Sequence, residues 1–249
     1  MSEFQDLIKT KARVLIAIQA RCDSTRFPRK IFQMLGKKTI LSHVVDQAKS
    51  AKSHVERPTH KMAVICGVAV LYPTKDIEIR DAFSNCGALM IDGDENDVLS
   101  RYVKAQEITQ ADYVVRLTSD CPLVLDFIIS KHINVAVFNQ LDYVSNVDEE
   151  VRLVFDGMDV EVLSKDALLY LSKNATSAHD KEHVTTALRR DRPKHLRFGF
   201  VSSKLDSSSM KLSLDTPEDL ERIRAYYHGR EGKLSLALKK YGRKMIFEI

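Results

Sequence analysis

The chain reads as an α/β protein, and three observations say so. Apolar runs of strand length recur at residues 14–19, 62–70, 88–91, 113–117, 143–146, 158–163, 196–201 and 211–214, with segments of helical period between them. The first run empties into a loop that is basic and rich in hydroxyls. Two later runs each end in an aspartate, Asp120 and Asp215. Polar residues gathered where strands end are what an open α/β sheet presents to ligands at the carboxyl ends of its strands.

In chain order, residues 14–18 are an unbroken apolar run that suits a strand buried on both faces. The loop after it carries Arg21, Arg26, Arg29 and Lys30, with Ser24 and Thr25 among them. Guanidinium forks and an ammonium so placed suit a multiply charged anion. Charge alone also fits a merely solvated loop. Pro28, however, fixes its own φ and biases Phe27 toward an extended conformation, which stiffens the segment. Ile40, Leu41, Val44, Val45 and Ala48 form the buried stripe of a first helix. Asn96 is the expected cap of a helix carrying Val98, Leu99, Tyr102 and Val103, and Asp126 begins another through Ile128, Ile129 and Ile133. Residues 139–163, with polar residues 147–151 between two apolar runs, suit a hairpin or arm and a dimer contact. Thr216, Pro217 and Asp219 give the clearest helix start, followed by Leu220, Ile223 and Tyr227 on one face.

Composition narrows the class. At 249 residues, 44% hydrophobic and 29% charged, the chain suits one domain, residues 1–249, with an ordinary core. A net charge of +4 is small for a dedicated nucleic-acid binder, so no nucleic-acid partner is expected. The longest apolar stretch, 62–72, is about half of the ~20 residues a spanning helix needs, so no membrane partner is expected either. Glu3 and Asp6 before a short apolar run match a secretory signal poorly, and the expected location is cytoplasmic. Cys22, Cys66, Cys86 and Cys121 form no CxxC pair, which points to reduced thiols rather than a zinc knuckle or a disulfide framework.

Asp120 and Asp215 offer hard oxygens beside a phosphate-binding loop, the setting for Mg²⁺ shared with substrate phosphates, if the sheet brings their strand ends together. Singly, each also suits a turn or a helix start. In Gly157, Asp159 and Glu161 the two acids alternate with apolar residues and would share one face of a strand. That face either reads a polar substrate or is the wet side of an edge strand, and the sequence leaves both open. His179, Glu182 and His183 spell H-x-x-E-H, an inverted zinc-protease pattern, but no third zinc ligand can be identified in the chain.

Residues 18–32, IQARCDSTRFPRKIF, resemble the IQARxxSTRxPxK signature of cytidylyltransferases that activate acidic sugars, the CMP-sialic acid and CMP-3-deoxy-manno-octulosonate synthetase group. NDVLSRY (96–102), VVRLTSDCPLV (114–124), GMDVEVLS (157–164), KEHVT (181–185) and LDTPEDL (214–220) follow in the order of that group's spore-coat polysaccharide F branch. The resemblance implies a single nucleotide-diphospho-sugar transferase domain, Rossmann-like, with a mostly parallel, mixed sheet of seven strands flanked by helices, and a homodimer. It implies transfer of CMP from CTP to a sugar acid. Arg21, Arg26 and Lys30 would grip the triphosphate with support from Ser24, and Asp120 and Asp215 would hold Mg²⁺. Arg116, Asp159 and Glu161 are the candidates for substrate contact, and Arg116, Lys181 and Arg189 for an acceptor carboxylate. Positions 23 and 29, often glycine in that family, are Asp23 and Arg29 here. Arg29 is expected to be unable to replace glycine if φ > 0 is needed, and Asp23 to weaken anion binding unless it pairs with an arginine or joins the metal shell.

Overall fold

One central strand, β1 (Lys11–Gln19), is buried on both faces and sets the plan of the molecule. Val14, Ile16 and Ile18 point into one core cluster, while Leu15 and Ala17 point into a second on the opposite face. The computed structural model describes residues 11–55, 63–147, 155–203, 211–228 and 245–248.

After β1 come the loop, a 3₁₀ turn at Lys30–Phe32, and a small hairpin of β2 (Met34–Leu35) and β3 (Lys38–Thr39). The chain continues through α1 (Ile40–Val55), β4 (Ala63–Pro73), α2 (Ile77–Phe83), β5 (Leu89–Gly93), α3 (Val98–Thr109), β6 (Tyr113–Thr118), α4 (Asp126–Phe138), β7 (Tyr143–Ser145) and β8 (Glu161–Ser164). Then follow α5 (Lys165–Asn174), α6 (Ala178–His183), α7 (Thr186–Asp191), β9 (Phe198–Ser203), α8 (Pro217–His228) and β10 (Met245–Glu248). The sheet runs β10-β9-β7-β8-β6-β1-β4-β5. It is mixed and mostly parallel: β1 pairs in parallel with β4 and β6, β4 with β5 and β7 with β9, whereas β8 and β10 run antiparallel to their neighbours. The expected α/β class is therefore the observed one; among the described residues the sheet has eight strands, where the resemblance implies seven, and β10 is the one no apolar run had marked.

Residues from α1, α2 and α4 cover one face of the sheet, and residues from α3, α5 and α7 cover the other. A third cluster of Leu35, Ile40, Leu214, Leu220 and Ile223 fastens the hairpin and α8 beside the loop. The Thr216–Asp219 start is a capping box: Asp219 N donates to Thr216 Oγ1 (3.3 Å), and Thr216 N donates to Asp219 Oδ2 (3.1 Å).

Several local expectations are corrected. Asp97, not Asn96, caps α3, its carboxylate accepting from Ser100 N at 2.9 Å. The strand expected at 158–163 starts only at Glu161, so Asp159 precedes it and the two acids do not alternate within one strand. That strand lies between β6 and β7, and Glu161 is 1% exposed, so it is not the wet face of an edge. Residues 211–214 contribute a single bridge, Lys211 to Asp156, because the segment turns away to deliver Asp215. Met62 and residues 148–154, the centre of the expected arm, lie outside the described residues. Among the described residues, no helix is long and apolar enough to cross a membrane.

Candidate active site

The carboxyl ends of β1 and β6 open into a cavity of about 200 Å³ lined by Arg21, Ser24, Arg26, Lys30, Asp120 and Asp215. Chain segments nearly two hundred residues apart thus meet at one point. Lys30 is 8% exposed, and its ammonium donates to Asp120 Oδ2 (2.7 Å), to the Leu214 carbonyl (2.7 Å) and to Asp215 Oδ1 (3.4 Å). Burial of a lysine requires such partners. Arg26 reaches Asp215 Oδ1 at 2.9 Å, and Lys211 reaches its other oxygen at 3.0 Å. Burial alone would raise the Asp215 carboxyl, but Lys211, Lys30 and Arg26 outweigh it and hold the group below the ordinary aspartate range.

The loop owes its shape to backbone bonds. Ser24 N and Arg29 N both donate to the Cys22 carbonyl (3.1 and 2.9 Å), and Cys22 N donates to Asp76 (2.8 Å). Arg29 does adopt the left-handed conformation, φ 57° and ψ 25°, which corrects the expectation that it could not. Its guanidinium lies 4.9 Å over the Phe32 ring and pairs with Glu78, contacts a glycine lacks. Asp23 is bonded not by an arginine but by Lys75 (2.7 Å), which bonds Glu95 at the same distance. Cys22 and Cys121 are buried beside the site, and burial pushes both thiols up, so neither is a ready thiolate.

The second approach to Asp215 comes from Gly157. At φ 97° it lies so close to the 212–213 backbone that a Cβ would meet Leu212 C at 2.6 Å. Leu212 N donates to the Asp156 carbonyl (2.6 Å), and Leu214 N to that of Asp120 (2.9 Å). These bonds seat the two carboxylates side by side.

The substrate candidates divide. Arg116 lines the cavity, yet its guanidinium is bound by Glu161 and by Gln19 (3.2 Å). Glu161 does not line the cavity: it sits beneath Arg116 and also accepts from the Tyr143 hydroxyl. Burial pushes Glu161 up, and Arg116 with Arg189 more than reverses it. Asp159 is half-buried near Cys121, close enough for its charge to help raise that thiol. Lys181 pairs with Asp97 (3.2 Å), and neither it nor Arg189 lines the cavity.

Sequence reasoning missed Arg101 as a contributor, and it weighed Glu182 and His183 only as a zinc pattern. Arg101, 2% exposed on α3, forms part of the cavity wall; it donates to the Ala20 and Leu71 carbonyls (3.4 and 3.3 Å), and its Nε has no partner among the described residues. An arginine inside the apolar stripe before Tyr102 was the available signal. Glu182 and His183 also line the cavity, with Glu182 3.5 Å from Arg21. Among the described residues, no group of three or more His, Cys, Asp and Glu side chains is placed to hold a metal, so the H-x-x-E-H pattern gains no third ligand. Asp120 and Asp215 nonetheless converge on one cation, the Lys30 ammonium. Two hard carboxylates completed by phosphate oxygens are a donor set that fits a divalent ion.

A strand-end cavity on a mostly parallel sheet, with a cationic loop facing paired carboxylates, is a setting that suits phosphate-bearing ligands. Comparison with known proteins gives the family. The family model described as Cytidylyltransferase matches residues 15–240. The spore coat polysaccharide biosynthesis protein SpsF of Bacillus subtilis is 29% identical over 226 residues, 86% of each chain. A cytidylyltransferase structure from Leptospira borgpetersenii superposes with a TM-score of 0.77 at 26% identity, covering 92% of this chain and 94% of that one. A CMP:2-keto-3-deoxy-manno-octonic acid synthetase complexed with CTP shares the fold at 17% identity and a TM-score of 0.63, over 88% and 99% of the two chains. The chain belongs to the cytidylyltransferase family, nucleotidyltransferases that act on CTP.

Proposed function

We propose that this protein transfers CMP from CTP to a hydroxyl of a sialic- or octulosonic-acid-like sugar acid, releasing pyrophosphate, in the cytoplasmic assembly of a surface polysaccharide. One observation carries the reading: a buried lysine of the loop is bonded to both Asp120 and Asp215 in a cavity that is otherwise largely cationic. The polysaccharide role is supported by the likeness to SpsF, and the sugar acid by the shared fold of the octonic acid synthetase.

In this reading Arg21, Arg26 and Lys30 grip the triphosphate, and Ser24 and the loop amides support it. Asp120 and Asp215 would hold Mg²⁺, which supplies charge neutralisation at the phosphates when bound. The acceptor oxygen attacks the α-phosphorus in line, the bond from that phosphorus to the bridging oxygen breaks, and pyrophosphate leaves with the electron pair. The loop cations neutralise the charge that gathers on the leaving group. A homodimer joined through residues 139–163 belongs to the same proposal.

A second reading has one observation behind it. An acidic acceptor needs an uncommitted cation, and Arg116 is already committed to Glu161. A cytidylyltransferase whose acceptor carries no carboxylate, such as an alditol phosphate, needs no cation for that group.

The deciding experiment measures pyrophosphate release with Mg²⁺, comparing CTP with ATP, GTP and UTP over a panel of sugar acids and alditol phosphates. Release that needs CTP and one sugar acid is expected, with loss on chelation and recovery on adding Mg²⁺. Release with alditol phosphates alone selects the second reading, and none with any acceptor overturns both. Lys30→Ala is expected to lose about 3 kcal/mol of transition-state stabilisation, roughly a hundredfold in rate. Near-normal turnover in that variant would remove Lys30 from the chemistry.

A further inference from the structure

The helix α6 carries the H-x-x-E-H residues to the cavity through an unusual backbone. Val184, which follows His183, has φ 61° and ψ −61°, and Thr185 N donates to the His183 carbonyl at 2.7 Å. This is the rare, strained hand of γ-turn, adopted here by a β-branched residue. Val184 is fully buried in the core cluster beneath α3 and α5, so packing holds the strain in place. Strain of this kind persists where the surroundings over-determine it, and it gathers at functional sites. Its effect here is to end α6 abruptly with Glu182 and His183 on the cavity wall.

The other lining groups are poor proton acceptors. Arg21, Arg26, Lys30, Arg101 and Arg116 are cations. Asp120 and Asp215 are engaged by Lys30, and Glu182 by Arg21. His183 differs. Its ring packs against that of His179, centroids 4.3 Å apart and planes tilted by 52°, and no described residue hydrogen-bonds its ring nitrogens. Desolvation holds its imidazole below the ordinary histidine value. His179 on α6, Arg116 on β6 and Arg189 on α7 act in the same sense, against Glu182 alone. The shift favours the neutral ring, on a residue that lines the cavity.

We infer that His183, set at the cavity wall by the Val184 turn, is the general base for the acceptor and that the acceptor therefore attacks through a hydroxyl. The inference rests on the cytidylyl-transfer reading above and chooses within it. A phosphate acceptor arrives already deprotonated and needs no base; a sugar hydroxyl does. As the new oxygen–phosphorus bond forms, the hydroxyl proton passes to the free ring nitrogen, and the electron pair of the broken bond leaves with pyrophosphate. The ring ends the step as imidazolium and returns its proton to water.

The test compares wild type, His183→Gln and His183→Ala in pyrophosphate release from CTP between pH 5 and 9, with the CTP-induced rise in melting temperature as a check on folding and nucleotide binding. For wild type, kcat should fall on the acid side, below the ordinary histidine range, as the ring takes up a proton. His183→Gln should lower kcat about 10²–10⁴-fold with KM for CTP little changed, and it should lose that acid limb. Added imidazole should restore part of the rate of His183→Ala. A His183→Gln enzyme with near-normal kcat and the same acid limb overturns the inference and leaves cytidylyl transfer standing. So does a slow variant that keeps the limb and gains nothing from imidazole. Failure of wild type to release pyrophosphate with any acceptor overturns the functional reading, and this inference with it.

Discussion

At the scale of single residues, the site is built from side chains whose cost of placement is met by specific partners. Lys30 is buried because three oxygens receive its ammonium. Arg29 occupies a conformation that favours glycine, and the Phe32 ring and Glu78 offset that cost. Two substitutions separate the opposing effects. Arg29→Ala keeps the Cβ and loses both contacts, whereas Arg29→Gly loses the contacts and relieves the backbone. Thermal melts should therefore place Arg29→Ala below Arg29→Gly; the reverse order would mean that the left-handed backbone carries no penalty. Asp120 was legible in the sequence because it follows a strand run, and Lys30 because it falls in the basic loop after one; Asp215 was reached through a run that is not a strand. Arg29 was misread because a residue's own propensity says nothing of the ring that folds beneath it.

At the scale of elements, the segment 211–219 decides where Asp215 stands. It is pinned on one side by the 156–157 turn and on the other by the α8 capping box. Gly157→Ala would need both a shift of the 212–213 backbone and an alanine at φ 97°. A destabilisation of about 1–3 kcal/mol by urea titration is expected, together with lost turnover as Asp215 moves. An unchanged urea midpoint would show that the turn relaxes freely. Asp219 accepts from the Asp215 and Thr216 amides and pairs with Lys211 and Arg222. Burial pushes its carboxyl up, but these partners hold it well below the ordinary value. Between that ordinary value, about pH 4, and its lower folded value, the unfolded chain binds the proton and the folded chain does not. Stability therefore rises with pH in that window and is lost as pH falls through it. Asp219→Asn should cost about 2 kcal/mol at pH 7 and flatten the dependence below pH 4. An equally steep acid limb in the variant would assign it to other carboxylates. The α8 start was plain from sequence because a capping box is local. The 211–214 run was misread as a strand because its pairing depends on chain far away.

At the scale of the whole molecule, a buried ionic network ties the sheet to the cavity. Arg116 of β6 binds Glu161 of β8, and Tyr143 of β7 donates to the same carboxylate. Removing one partner leaves the other charge buried and unpaired. Arg116→Met is expected to cost about 3–5 kcal/mol, and the double variant Arg116→Met with Glu161→Gln markedly less than the sum of the singles. Additive losses in denaturant melts would show that the two charges are already solvated. This network also explains why Glu161, an acid on an expected polar face, does not line the cavity: the face belongs to an interior strand.

The amino-acid sequence by itself determined the α/β class, the basic loop, the aspartate that follows β6 and the α8 start, because periodicity, capping and turn chemistry act over a few residues. The tertiary structure alone decided that Lys30 lies between Asp120 and Asp215, that Arg116 is engaged by Glu161, and that Arg101 and His183 reach the same cavity. It also decided the interior place of β8, the eighth strand and the left-handed Arg29. Each of these depends on contacts between residues distant in the chain, where burial and pairing outweigh local preference.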